Sequence, residues 1–208
     1  MNTEEILSIR DASILLIEER ERRDIVIGAP HHSIGGVKFL PCKEHPDADE
    51  NSGFIAKQIA ETLKLSSIIA CNYRTDPNKY LGTDYSKQII EWAPKYLIEI
   101  HGHGAKSIDL NKIEVSSGCL KRNDFSKLFA STLQSKLNSN INLKNYLVEG
   151  DFNNLYFKGL KSATIVEDRW TSLQIELPPS IRIDPSNDHL PIITAVFTKY
   201  LIETISEI

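Results

Sequence analysis

The sequence predicts an α/β fold: one three-layer domain over residues 1–208, built on a central mixed, largely parallel sheet with helices on both faces. Two observations predict it. Apolar strand patterns alternate along the chain with segments of helical period, and such alternation builds a sheet covered on both sides. At 208 residues, with 41% hydrophobic and 25% charged residues, the chain suits one sizeable soluble core. No repeat, low-complexity tract or linker divides it.

Residues 3–12 open as a short helix. Residues 13–19 and 24–29 read as two strands around the charged turn Arg20 to Arg23, a hairpin; a longer amphipathic helix through Glu21 competes with it. Asp24 to Pro30 is a buried-strand pattern that proline stops, which puts His31 and His32 just beyond a strand end. Ser33 to Gly36 is a turn, and residues 41–49 form a loop with Pro41 and Pro46. Residues 51–65 have helical spacing through Ile55, Ile59 and Leu63, with Asp49 or Asn51 as N-cap. A strand at 67–71, a polar loop at 72–82, a helix at 84–92 and a buried strand at 95–101 follow. A short strand at 112–115 precedes a helix from Asn123 or Asp124 to about Leu137. Strands are expected at 145–148, 163–167 and 172–177. Residues 186–208 read as a terminal helix capped by Ser186 or Asp188, with Pro191 in its first turn.

Composition excludes several classes. A net charge of -4 leaves no electrostatic footprint for nucleic acid, and the basic cluster at Arg20, Arg22 and Arg23 is diluted by Glu18, Glu19 and Glu21. No apolar run reaches the roughly 18 residues of a membrane helix, so no membrane partner is expected. The acidic start, Asn2-Thr3-Glu4-Glu5, lacks the apolar core of a secretory signal. Cys42, Cys71 and Cys119 are odd in number and widely spaced, which argues against a disulfide framework and for the cytoplasm. Cys42 and His45 have the spacing of half a structural zinc site, without a second half. No Gly-x-Ser-x-Gly elbow or phosphate loop is present.

The chemistry concentrates in four segments. Pro30-His31-His32, Asp49-Glu50-Asn51, His101-Gly102-His103 and Glu176 all lie at or near predicted strand ends or a helix start. Ligands of open α/β sheets bind beyond strand carboxyl ends. Two imidazoles and a carboxylate are a catalytic zinc set, and a separate Glu can serve as base. One histidine of each pair reads as a ligand, and the other is left to contact substrate or the metal-bound water; the residues alone leave open which is which. His45, in a loop, and His189, at a helix start, have bland readings. Asp49 or Glu50 supplies the oxygen ligand, or else these residues only complement a helix start. Alternation puts Gln174 and Glu176 on one strand face, opposite Leu173, Ile175 and Leu177. Arg74 or Lys79, with Asn78, forms a cationic loop able to anchor a substrate carboxylate.

In that order, the strand with Pro30-His31, Asp49-Glu50-Asn51-Ser52-Gly53, Asp76-Pro77-Asn78-Lys79 and Glu99-Ile100-His101-Gly102 resemble the N-formylglutamate amidohydrolase family. More broadly they are similar to zinc carboxypeptidase-like hydrolases, including poly-γ-glutamate hydrolases. The resemblance spans about residues 24–178. It implies His31, Asp49 and His101 as zinc ligands, Glu176 as the catalytic glutamate, and Asn78 with Lys79 as the pair holding a substrate carboxylate. The chain departs from the pattern in three places. Lys79 stands where arginine is usual, Pro-His-His-Ser replaces Pro-His-Ser-Gly, and the carboxylate follows His31 by 18 residues rather than in a His-x-x-Glu.

The expectation is a zinc-dependent amidohydrolase of a small acyl-amino acid, or of a γ-glutamyl or peptide-like amide. Glu176 would act as base, His103 or His32 as oxyanion donor, and Asn78, Lys79 and Arg74 as substrate contacts. The alternative is a non-catalytic metal- or ligand-binding module on the same scaffold. The sequence does not speak to oligomeric state.

Overall fold

The computed structural model describes residues 2–104 and 110–208. In chain order these form α1 (Thr3–Leu7), β1 (Ile14–Glu18), β2 (Arg22–Ser33), β3 (Asp49–Glu50), α2 (Ser52–Leu63), β4 (Leu65–Cys71), α3 (Asp84–Trp92) and β5 (Tyr96–Gly102). There follow β6 (Lys112–Ser116), a 3-10 turn (Leu120–Arg122), α4 (Asn123–Asn138), β7 (Leu147–Glu149), α5 (Ala163–Val166), β8 (Thr171–Leu177), α6 (Pro179–Arg182) and α7 (Ile192–Ile205).

The strands form one eight-stranded mixed sheet of order β1-β4-β2-β5-β8-β6-β7, with β3 paired to β2 off this path. β4, β2, β5 and β8 are parallel, while β1 on β4 and β6 on β8 are antiparallel. The parallel strands are buried on both faces, which is why they read as continuous apolar runs. On one face, Ile55 and Ile59 of α2, Phe129 and Leu133 of α4, and Phe197 and Leu201 of α7 pack on Ile27, Ile98 and Leu173. On the other, Tyr85, Ile89 and Trp92 of α3 pack on Val26, Ile68 and Leu97. From β2 the chain passes through α2 to β4 on one side. From β4 it returns through α3 to β5 on the other side of β2. The crevice beyond the carboxyl ends of β2 and β5 is therefore a topological switch point, where such sheets bind ligands.

Several expectations are corrected. The hairpin does not form, because β4 lies between β1 and β2 and takes β1 as its antiparallel neighbour. Proline does not stop β2, which runs on to Ser33. From Ala29 to His32 β2 advances three residues while β4 advances two, from Ile69 to Cys71. This is a bulge with one extra residue, and Pro30 sits inside it, where no ladder N–H is required. Asn51 precedes α2 in the left-handed region at φ 63 without capping it; its side chain instead accepts from Gly35 N and donates to the carbonyls of Arg182 and Asp188. The strand expected at 163–167 is the one-turn helix α5, a run too short for its period to decide. The terminal helix starts only at Ile192, after Pro191. The segment before it is a turn in which Asp184 accepts from Ser186 N and Oγ. None of the described helices is long and apolar enough to cross a membrane.

Gly28 of β2 is the register partner of Glu99 on β5. Tyr85 descends from α3 over it, and a Cβ at Gly28 would collide with the Tyr85 hydroxyl. Gly28→Ala is therefore expected to cost about 1–3 kcal/mol by overpacking. It should lower the denaturation midpoint while leaving the m-value unchanged.

Candidate metal centre

The bulge in β2 decides which histidine enters the switch-point crevice. Plain alternation would send His31 with Ala29 toward α2. One extra residue flips that parity. His31 thus shares the α3-side face with Glu99 and His101, and His32 turns toward α2. β3 brings Asp49 alongside, paired to the end of β2. On the far side of β5, His101 is the register partner of Glu176 and Glu99 that of Gln174.

His31 Nδ1 and His101 Nδ1 lie 3.4 and 3.2 Å from the same atom, Asp49 Oδ2. The three atoms form a compact ligand set, all within 4.8 Å of one another. Asp49 Oδ2 and His31 Nδ1 are buried without a hydrogen-bond partner. Each ring is held from behind: His31 Nε2 is 3.1 Å from Asp76 Oδ1 and His101 Nε2 is 3.1 Å from Glu99 Oε2. A carboxylate on the outer nitrogen fixes ring orientation and raises the basicity of the inner one, as in carboxylate–histidine–metal triads. Glu99 in turn accepts from Asn78 Nδ2, the Tyr85 hydroxyl and the Thr164 hydroxyl at 2.8, 3.1 and 2.8 Å.

The site gathers buried ionisable groups of both signs. Asp49, Asp76, Glu99 and Glu176 are only 3, 8, 0 and 5% exposed, and two imidazoles face them. Burial opposes charge on both rings, yet the Asp49 carboxylate, with Asp76 at His31 and Glu99 at His101, raises both imidazole pKa values net. Burial would likewise raise Asp49, and the two imidazoles hold it below the usual range. Glu176 is pushed up to about 7, chiefly by burial. Two imidazole nitrogens and one carboxylate oxygen are borderline donors that suit zinc, and the orphaned Asp49 Oδ2 and His31 Nδ1 are the atoms such an ion would satisfy.

A second cluster, His31, His45 and Asp76, also gathers ligand atoms. There the His31 and His45 rings are stacked at 3.8 Å and 15°. Lone pairs of nearly parallel rings do not converge on one ion, so His45 covers the His31 ring rather than forming a second centre. It carries the loop before β3 over the crevice, and burial lowers its pKa to about 4.

The remaining sequence-derived residues separate. His32 Nε2 donates to the Leu7 carbonyl and its Nδ1 accepts from Gly53 N at 3.0 and 3.1 Å, so the ring is neutral, structural and away from the crevice. Burial lowers its pKa to about 4. His103 Nε2 faces the Lys112 carbonyl at 2.8 Å, which places the proton there. Its buried Nδ1 is then an acceptor, the wrong polarity for an oxyanion. Asn78 is committed to Glu99, and Lys79 Nζ pairs with Glu44 at 3.1 Å. Arg74 is exposed beside the same loop. Glu50, the alternative to Asp49, accepts from Gly36 N and does not stand between the rings. Asp76 and Glu99 are the functional candidates that sequence reasoning left without a role. Glu99 carried a usable signal, a carboxylate inside an apolar strand.

No protein-family model matches the sequence, and no curated protein matches it. Solved structures do resemble the fold. A bacteriophage poly-γ-glutamate hydrolase matches with a TM-score of 0.61 at 13% identity, over 98% of this chain and 93% of that one. An N-formylglutamate amidohydrolase from Ralstonia eutropha matches with a TM-score of 0.59 at 13% identity, over 92% and 94%. A metallo-carboxypeptidase from Burkholderia cenocepacia matches with a TM-score of 0.52 at 11% identity, over 98% and 66%. At these identities the likeness establishes the carboxypeptidase-like fold expected from the sequence.

The two adjacent histidines should respond oppositely to substitution. His32→Ala strands the Gly53 N–H and the Leu7 carbonyl in the core and is expected to cost about 2–5 kcal/mol while keeping bound metal. His31→Ala should lose metal with a smaller effect on the metal-free fold. Elemental analysis and chemical denaturation of both variants check this.

Proposed function

We propose that this chain is a zinc-dependent hydrolase of amide bonds, acting on a carboxylate-bearing small molecule: an acyl-amino acid of the N-formylglutamate kind, or a γ-glutamyl or peptide-like amide. One observation carries the reading. Two ring nitrogens and one carboxylate oxygen converge at the switch point with their outer partners already in place, and Glu176 stands one strand away. The likeness in fold to hydrolases of amide bonds supports it.

His31, Asp49 and His101 would hold the ion. When bound, zinc would supply a Lewis acid and an acidified water. Glu176 takes the proton of the attacking water and passes it to the leaving amine. Its elevated proton affinity suits a group that must both accept and release a proton near neutrality. Asp76 and Glu99 keep both imidazoles oriented throughout. Lys79 would bind a substrate carboxylate by exchanging it for Glu44, with exposed Arg74 in the same loop as a further cation. His103 reads better as an acceptor for a substrate N–H than as an oxyanion donor.

The second reading, a metal-binding module without turnover, has one observation in its favour. Asn78 and Lys79, the groups expected to anchor substrate, are both engaged by the protein itself. Protein purified without a tag or added metal should hold about one zinc per chain, and the His31→Ala/His101→Ala double variant should hold none. Glu176→Gln should keep the zinc and lower kcat on an amide by about 10²–10⁴-fold. Zinc retained with no amide turnover in the parent protein would favour the binding module; absence of zinc even after it is offered back would end both readings.

A further inference from the structure

Gln174 is hydrogen-bonded directly to Glu176. It lies on β8, 5% exposed, two residues before Glu176 and on the same face. Its Nε2 donates to Glu176 Oε1 at 2.5 Å. With Glu176 ionised, the opposite amide orientation would bring two acceptors together. The orientation that works leaves Gln174 Oε1 buried with no donor. Gly159 abuts that oxygen with φ 69, and even a Cβ there would lie 2.8 Å from it. Glu99, the register partner of Gln174, takes its own hydrogen bonds from Asn78, Tyr85, Thr164 and His101. The amide gives a buried carboxylate a donor and leaves its own acceptor stranded, so its two ends oppose each other in stability. Such exceptions point to a task other than stability.

We infer that Gln174 is a positioning residue for Glu176. It pins one carboxylate oxygen, Oε1, and so presents Oε2 as the oxygen that exchanges the proton. The terminal torsion of a glutamate is broad, so an unheld carboxylate samples many orientations. One short hydrogen bond from a strand-borne amide narrows that range, and misplacement of a reacting group by about 1 Å is enough to cost about 10²-fold in rate. The inference deepens the hydrolase reading and rests on it for its catalytic meaning.

Gln174→Met keeps the side-chain length and removes the amide. In the zinc-loaded full chain three readouts apply. The melting temperature should fall little, because the loss of the stranded acceptor offsets the donor that Glu176 loses; a residue held for structure alone would lower it and leave kcat unchanged. The side-chain amide of Gln174 should give a downfield, slowly exchanging proton resonance that is absent in Gln174→Met and moves upfield in Glu176→Ala. On an amide that the parent protein cleaves, kcat should fall about 10–100-fold, with KM within about twofold and zinc content unchanged. A resonance indifferent to Glu176→Ala, an unchanged kcat, or a kcat loss that merely tracks a lower melting temperature would overturn the inference. If the resonance behaves as expected but no amide is cleaved, the hydrolase reading fails and the catalytic meaning of the pair fails with it. Missing the resonance in an active enzyme defeats the inference alone.

Discussion

Negative charge gathered out of water at the end of a parallel sheet is the constraint from which this structure follows. Four buried carboxylates surround two imidazoles, and each uncompensated buried charge costs several kcal/mol. The protein answers most of this locally. Asp76 and Glu99 receive imidazole N–H groups, Glu99 receives three further donors, and Glu176 receives an amide. Asp49 Oδ2 alone faces two ring nitrogens without a bond. Much of the surrounding architecture serves these donors. Gly28 makes room for Tyr85, α5 delivers Thr164, and the loop after β4 delivers both Asp76 and Asn78.

The sheet and its main helices were legible in the sequence because β2, β4, β5 and β8 are buried on both faces and so carry uninterrupted apolar runs. α3 was legible to the residue, with Thr83 capping Ser86 N and the chain turning left-handed at Ala93. The errors share a cause, which is that distant partners decided them. Neighbours in sequence suggested a hairpin of β1 and β2, but β4, some fifty residues on, pairs with both. The segment around Thr164 looked like a strand, yet its hydroxyl is committed to Glu99 and its carbonyl to Trp170 Nε1.

The candidate site was legible as a set of segments and less so as a set of atoms. Motif order pointed to His31, Asp49, His101 and Glu176, and the structure gathers all four at one crevice. It was silent on the bulge, since no local pattern announces that β2 gains a residue on β4. The face occupied by each histidine was therefore open. Asp76 sat in a polar loop that gives little reason to prefer it over its neighbours. Asn78 and Lys79 were read as reaching for substrate because a sequence cannot reveal that Glu99 and Glu44 already hold them.

The bulge also gives two neighbouring histidines opposite surroundings. Without the extra residue on β2, plain alternation would put His32 on the crevice face and turn His31 toward α2. His32 is held on the helix side by the Leu7 carbonyl and the Gly53 N–H, an acceptor and a donor that together fit only a neutral ring. The helical layer thus fixes the parity by which His31 faces Asp49 and Asp76.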